Sequence, residues 1–263
     1  MRALILSDIH ANFEALQAVL AAADGQWDVL WNLGDLVGYG GSPNQVIDLI
    51  RPIETLVVRG NHDRVCCGLT PAHAFNPTAR SAAMWTRKEL TAENLAWLRE
   101  IPQGPLLPPD TAVACVHGSP LDEDSYILNM RDAWAPLQQM TTSITFFGHT
   151  HIQGGFSQKG HEWHELRPHH HLPNGPESSS YSGDPNLAVS WSVALPHGTR
   201  HLLNPGSVGQ PRDRDWRAAF ALFDSEACQI TFHRVPYDLV TSQGRILMAG
   251  LPERLAARLR EGR

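Results

Sequence analysis

Histidine is the residue to follow in this chain, with 14 copies among 263 residues. Several stand beside Asp or Asn in short polar clusters that close apolar runs. Asp8 and His10 follow ALIL, Asp35 follows DVLWNLG, and Asn61 and His62 follow TLVVRG. His117 follows AVACV, and His149 and His151 follow ITFFG. Together they form a set of carboxylates, imidazoles and one amide, without a thiolate. Mixed nitrogen and oxygen donors suit Mn²⁺, Fe or Zn²⁺ better than a soft or purely oxygen-bound ion. Seven ligands with one shared would fill two adjacent sites. Two ions roughly 3.5–4 Å apart are a common device for hydrolysing phosphoesters. Taken singly, each cluster also reads as a surface turn, an Asn in left-handed geometry, or half of a structural zinc site. Five in order, each closing an apolar run, point to one shared site.

Those runs define the elements that must position the cluster. Residues 3–7, 28–33 and 55–59 read as strands. Between them, residues 12–23 carry a helical apolar period and residues 43–51 open with Pro43, which favours a helix start. This is βαβ alternation. Residues 77–100 read as a helix, 112–116 as a strand, 130–140 as a helix and 144–147 as a strand. In open α/β sheets, ligands bind at the carboxyl edge of the strands, where all these polar residues fall. Beyond 152 the pattern changes to short strands at 152–157, 188–195, 200–203, 218–223 and 228–235, then one or two amphipathic helices over 239–261. Residues 160–186 are rich in Pro, Gly and Ser, contain His169, His170 and His171, and read as a flexible inserted loop. The whole chain, 1–263, is expected to be one domain.

Composition excludes several functions. The chain carries 42% hydrophobic and 18% charged residues, so wholesale disorder is excluded. Lys and Arg total 21 against 27 Asp and Glu, a formal charge of −6. That balance disfavours nucleic acid and anionic membrane as partners. No run approaches the ~20 apolar residues of a membrane span. The first apolar run is too short for a signal peptide, so the expected location is cytoplasmic. Cys66, Cys67, Cys115 and Cys228 have no CxxC spacing and read as small buried residues. Oligomeric state is left open.

The blocks Asp8-Ile9-His10, Gly34-Asp35, Gly60-Asn61-His62-Asp63, His117-Gly118 and Gly148-His149-Thr150-His151 resemble those of calcineurin-like metallophosphoesterases. NPGSVGQPRD at 204–213 resembles a block of the small bacterial, phosphodiesterase-like members. The resemblance implies an α/β (α+β layered) fold, a central β-sandwich flanked by helices with a dinuclear metal site at its edge. It implies one ion held by Asp8, His10, Asp35 and His151, and a second by Asp35, Asn61, His117 and His149. Asp35 would bridge, and His62 would be the imidazole facing substrate. The implied reaction is attack on phosphorus by a bridging hydroxide, with His62 protonating the leaving oxygen or stabilising charge there. Two divalent ions, two carboxylates and a hydroxide leave about one positive charge to attract a phosphate oxyanion. The second block departs from the GDxVDRG pattern of protein phosphatases and diadenosine tetraphosphatases. Gly38 stands in place of the Asp that would orient His62, and Tyr39 in place of a phosphate-gripping Arg.

The expected activity is therefore phosphoester hydrolysis of a small phosphorylated substrate, preferentially a diester. The alternatives are a phosphomonoesterase for a nucleotide or metabolite, and a catalytically silent metal-binding scaffold. Retention of His62 speaks against the scaffold. Three further residues carry two readings each. Asn12 either reaches substrate or caps the helix that follows it. Tyr39 either stacks on substrate or lines the wall. Arg212 either contacts a substrate phosphate or pairs with Asp213 or Asp215.

Overall fold

The computed structural model describes residues 1–53, 55–168 and 185–263. In chain order the elements are β1 (Arg2–Leu6), α1 (Phe13–Ala22), β2 (Val29–Asn32), α2 (Pro43–Ile50), β3 (Thr55–Val57), α3 (Asn61–Cys66), α4 (Pro77–Glu89) and α5 (Ala92–Glu100). They continue with β4 (Val113–Cys115), α6 (Met130–Gln139), β5 (Ile144–Phe146), β6 (Gly154–Lys159), β7 (Glu162–Leu166) and β8 (Val189–Ala194). The last are β9 (Arg200–Asn204), β10 (Ala218–Asp224), β11 (Gln229–Val235), α7 (Leu239–Met248) and α8 (Glu253–Glu261).

Two sheets stack face to face. One runs β3-β2-β1-β10-β11-β8 and the other β4-β5-β9-β6-β7. Within them β1, β2 and β3 are parallel, as are β4, β5 and β9. The carboxyl ends of these parallel strands carry the polar clusters. Strand β1 shows why its sequence is an unbroken apolar run: Ala3 and Ile5 pack between the sheets, while Leu4 and Leu6 pack against helices. A parallel strand covered on both faces has no polar side to offer. The intersheet core is aromatic, with Trp31, Phe146, Phe223 and Phe232 buried together. Helices α1, α2, α4, α5, α7 and α8 cover the first sheet, and α6 packs on the second through Ala133 and Leu137. Cys66, Cys67 and Cys115 are free and buried, and Cys228 is free and half-buried.

Two expectations are corrected. Residues 77–100 form two helices, because Leu90 adopts extended ψ and Thr91 caps α5 by accepting from the Asn94 N–H. Residues 162–166, expected within the loop, form β7, which pairs along the outer edge of β6 from Gly155↔Leu166 to Lys159↔Glu162. Backbone pairing to an existing edge strand needs no apolar period, so composition concealed it. The polar cluster that closes β3 starts helix α3 at Asn61. His169, His170 and His171 lie outside the described residues.

A polar network ties the second half together. Buried Arg217 donates to both Asp215 oxygens, Nε at 2.9 Å and Nη2 at 2.7 Å, and to the Leu187 carbonyl. Arg234 pairs with Asp213 and donates from Nε to Gln153 Oε1 at 3.1 Å. Asp215 and Asp213 are therefore engaged by other arginines, and neither pairs with Arg212.

Candidate metal centre

The turns after the parallel strands are tight enough to force uncommon backbone. Asp8 (φ 53°), His10 (49°), Asp35 (56°), His149 (64°) and His151 (60°) all sit in the left-handed region without being glycine. Each costs on the order of 1–3 kcal/mol, a cost typical of functional sites and borne by the surrounding structure. Hydrogen bonds show what holds these turns. Asp63 accepts from the Asp35, Gly60 and Val37 N–H groups at 2.9, 3.0 and 3.2 Å. Ser7 Oγ donates to Asp8 Oδ2 at 2.7 Å, and the His149 N–H donates to the same oxygen. Ser207 Oγ donates to the Asp8 carbonyl, and Asn204 Nδ2 to the Gly148 carbonyl. Asp63 thus organises the Asp35 loop and does not orient His62.

All seven expected ligands come together. Asp8, His10, Asp35 and His151 place one donor atom each within 4.8 Å of one another, and so do Asp35, His117 and His149. Asn61 Oδ1 lies 3.1 Å from His117 Nε2, joining the second group. The imidazoles are oriented from behind. His10 Nδ1 faces the Val37 carbonyl at 3.1 Å, His151 Nδ1 the Gln210 carbonyl at 2.6 Å, and His117 Nδ1 the Leu33 carbonyl at 2.8 Å. His149 Nε2 faces the Asp124 carbonyl at 3.1 Å. A nitrogen that donates to a carbonyl leaves the ring's other nitrogen as a lone pair.

The lone pairs converge. His10 Nε2 and His151 Nε2 are 3.2 Å apart, and His117 Nε2 and His149 Nδ1 are 3.1 Å apart. Asp8 Oδ1 is buried with no hydrogen-bond partner and lies 3.3 Å from His151 Nε2. Asp35 Oδ2 lies between the groups, 3.6 Å from His10 Nε2 and 3.4 Å from His117 Nε2. Electron-rich atoms facing one another in a dry site need a cation between them, so the donor set fits divalent metal at both positions.

Titration shows the same need for positive charge, with a proton on His117 standing where a cation would. Burial pushes Asp8 up to about 7, aided by Asp35 and opposed by His117. Burial opposes ionisation of Asp35 too, but His117, His62 and His10 hold it well below the usual carboxylate range. Burial pushes His117 down, yet the Asp35 and Asp8 carboxylates lift it to about 10. Burial drives His149 down to about 3 and holds His10 and His151 well below the ordinary imidazole value.

His62 sits beside both groups without joining either. Its ring lies 4.3 Å from Tyr39, 4.5 Å from Phe75 and 4.8 Å from His10, centroid to centroid. Its Nδ1 is buried and unpartnered, and a Cβ on Gly38 (φ 88°) would stand 2.6 Å from that atom. The ring is fixed by packing instead of by a carboxylate. Burial pushes it down to about 4, so it is neutral at pH 7.

The remaining candidates divide. Asn12 Oδ1 accepts from the Ala15 N–H and from Ser242 Oγ, and Nδ2 donates to the Gly209 carbonyl, so its amide works as the cap of α1. Tyr39 is 6% exposed and forms the wall against His10 and His62. Arg212 overlooks the site, and its charge lowers Asp8, His10, His62, His149 and His151 alike. Three contributors had no sequence signal: Tyr126, stacked 4.0 Å from the His149 ring; Phe75 on His62; and Arg258, 5.6 Å above the Tyr39 ring.

Residues 1–227 match the calcineurin-like phosphoesterase superfamily domain, and the chain belongs to that family. It is 38% identical to a metallophosphoesterase from Sphaerobacter thermophilus, whose crystal structure superposes with a TM-score of 0.81 over 100% of this chain and 99% of that one. It is 32% identical to an uncharacterized protein of Methanocaldococcus jannaschii, covering 98% of this chain and 97% of the other. A hypothetical protein from Pyrococcus horikoshii, 21% identical with a TM-score of 0.75, covers 100% of this chain and 98% of its own and shares the fold. The family and the donor clusters make the chain a metal-dependent phosphoesterase. Among the described residues, no helix is long and apolar enough to cross a membrane.

Proposed function

We propose that the chain is a phosphodiesterase of small phosphorylated substrates that works with two divalent transition-metal ions, Mn²⁺, Fe or Zn²⁺. The observation that carries this reading is the pair of lone-pair clusters sharing Asp35 Oδ2. Asp8, His10, Asp35 and His151 would hold one ion, and Asp35, Asn61, His117 and His149 the other. When bound, such ions supply Lewis acidity toward phosphoryl oxygens and an activated water. The protein's own residues do the rest. The carbonyls of Val37, Leu33, Gln210 and Asp124 fix the ligand rings. Arg212 steadies negative charge on the phosphoryl oxygens. His62, held by Tyr39 and Phe75, presents a ring N–H to the leaving oxygen and as the neutral ring stabilises charge there by hydrogen bonding; only the imidazolium, favoured by the negative charge of bound substrate, supplies a proton when the leaving group is poor.

Gly38 and Tyr39 favour the diester. Without a carboxylate behind it, the buried His62 stays neutral, and no arginine at position 39 grips a second phosphate charge. A monoester would bring one more negative charge, and the guanidiniums of Arg212 and Arg258, which pair with no Asp or Glu side chain among the described residues, favour that second reading. Four free cysteines suit a reducing compartment, and the cytoplasm is the proposed location. The deciding experiment is kcat/KM for bis(p-nitrophenyl) phosphate against p-nitrophenyl phosphate after metal reconstitution. Preference for the monoester overturns the diester reading, and absence of turnover on both with full metal content leaves the scaffold.

A further inference from the structure

Two guanidiniums stand at the rim of the site, and among the described residues neither pairs with an Asp or Glu side chain. Arg212 follows the turn after β9. Its N–H donates to the His151 carbonyl at 3.1 Å, and its Nε is buried with no partner. The acids next to it are taken, Asp213 by Arg234 and Asp215 by Arg217. Arg258 comes from α8, whose Leu255, Ala256 and Leu259 are buried against the helical layer. That anchoring carries its guanidinium over the face of Tyr39, 5.6 Å from the ring centroid. Tyr39 in turn packs 4.3 Å from the His62 ring, so one aromatic ring separates Arg258 from the imidazole that faces the leaving oxygen. Arg258 Nε donates to the main-chain oxygen of Arg263, its guanidinium hydrogen-bonds the Tyr39 side chain, and among the described residues no Asp or Glu side chain pairs with Arg258. Burial and the nearby Arg212 charge both hold Arg258 below its ordinary value, and its charge is felt at His62 and Tyr39.

Two partly desolvated like charges, neither paired with an Asp or Glu side chain among the described residues, are unfavourable, and an anion at each relieves both. We infer that Arg258 receives a second anionic group on the leaving half of the substrate, so that the preferred substrate is a phosphoester whose departing portion carries its own phosphate. This rests on the phosphoesterase reading above for the side on which the leaving group lies. In that geometry the scissile phosphate takes the two lone-pair clusters and Arg212, while Arg258 sits on the His62 side, where the departing oxygen goes. Hydrolysis then adds one water across the P–O bond and releases an alcohol that already bears a phosphate. The guanidinium fork matches a phosphate face in two parallel hydrogen bonds, which an ammonium does not.

The test is binding, so it stands apart from turnover. Adenosine 5′-monophosphate and adenosine 3′,5′-bisphosphate are titrated calorimetrically into metal-loaded protein, with metal content measured before and after. The wild type should bind the bisphosphate at least about tenfold more tightly. Arg258→Gln should shrink that ratio to about threefold or less, while monophosphate binding falls by less than about threefold. Arg258→Lys should restore only part of the ratio. Thermal melting of both variants checks that α8 still docks. A wild-type ratio near one, or a ratio unchanged in folded Arg258→Gln, overturns the inference. If the ratio behaves as stated but no phosphoester turns over, the phosphoesterase reading fails and the guanidinium pair remains an anion site.

Discussion

Arg217 and Asp35 are both 1% exposed, and each lies within a cluster of buried polar side chains. Around Arg217 and Arg234 each charge meets its opposite: Asp215 and Asp213 are paired, and Gln153 Nε2 donates to main-chain carbonyls. Around Asp35 atoms of the same character converge, with facing imidazole lone pairs at 3.1 and 3.2 Å and an orphaned Asp8 oxygen. The backbone differs as well, since five of the converging residues hold left-handed φ while Asp215, Arg217 and Arg234 do not. A buried network that closes on itself specifies structure. One that leaves its charge unbalanced waits for something to bind.

The largest test of that contrast is Asp35→Asn. Losing the shared oxygen should weaken metal at both positions by more than the about 10–100-fold that outer partners typically cost, and turnover should fall with it. Elemental analysis showing Asp35→Asn with full metal occupancy would break the comparison. His62→Ala comes next. It should retain metal while kcat drops about 10²–10⁴-fold, with a smaller drop for good leaving groups. An equal drop across leaving groups removes the proton-transfer role and leaves charge stabilisation.

On the other side of the comparison, Arg217→Met strands Asp215 in the interior. Urea unfolding should register about 3–5 kcal/mol of lost stability. Metal content should match the wild type, and a loss of metal would show that the two clusters are one. Gly38→Ala is a smaller perturbation at the boundary of the site. Its Cβ would sit 2.6 Å from His62 Nδ1 at a φ that disfavours a side chain. About 1 kcal/mol of stability and about tenfold in kcat should be lost, with metal kept. Unchanged kinetics would mean that His62 does not depend on its packing.

The smallest effect is one of pH. Burial alone would raise Asp215, but Arg217 and Arg234 hold it below its ordinary value. A carboxylate depressed in the folded state adds stability that is complete above its unfolded pKa and is lost as pH falls through the folded one. Unfolding measured on the acid side should therefore show a decline that Asp215→Asn flattens. If the decline is identical in that variant, the pairing contributes nothing to acid stability.

How far these features could be read in advance depends on the kind of information each needs. All seven expected ligands and His62 were legible because the fold places each at the end of a parallel strand, and a buried parallel strand announces itself as an unbroken apolar run. The two-residue break at Leu90-Thr91 was not, because both helices share one apolar phase across it. Strand β7 was hidden because an edge strand is held by backbone hydrogen bonds. The second reading of Arg212, an ion pair with Asp213 or Asp215, failed for want of knowing that Arg217 and Arg234, from β10 and its approach and from β11, claim those acids first.

By itself, then, the sequence determined the donor set, the order of the strands that carry it and the absence of an acid behind His62, since these follow from residue type and local period. Which nitrogen of each imidazole faces inward, Asp63 serving the Asp35 loop instead of His62, and the arrival of Arg258 over Tyr39 were decided only by the tertiary structure. The carbonyls that turn the rings come from 25 to 84 residues away along the chain, and Arg258 lies on the last helix. Contacts of that range are set by how two sheets and a helical layer close on one another, and no local pattern encodes them.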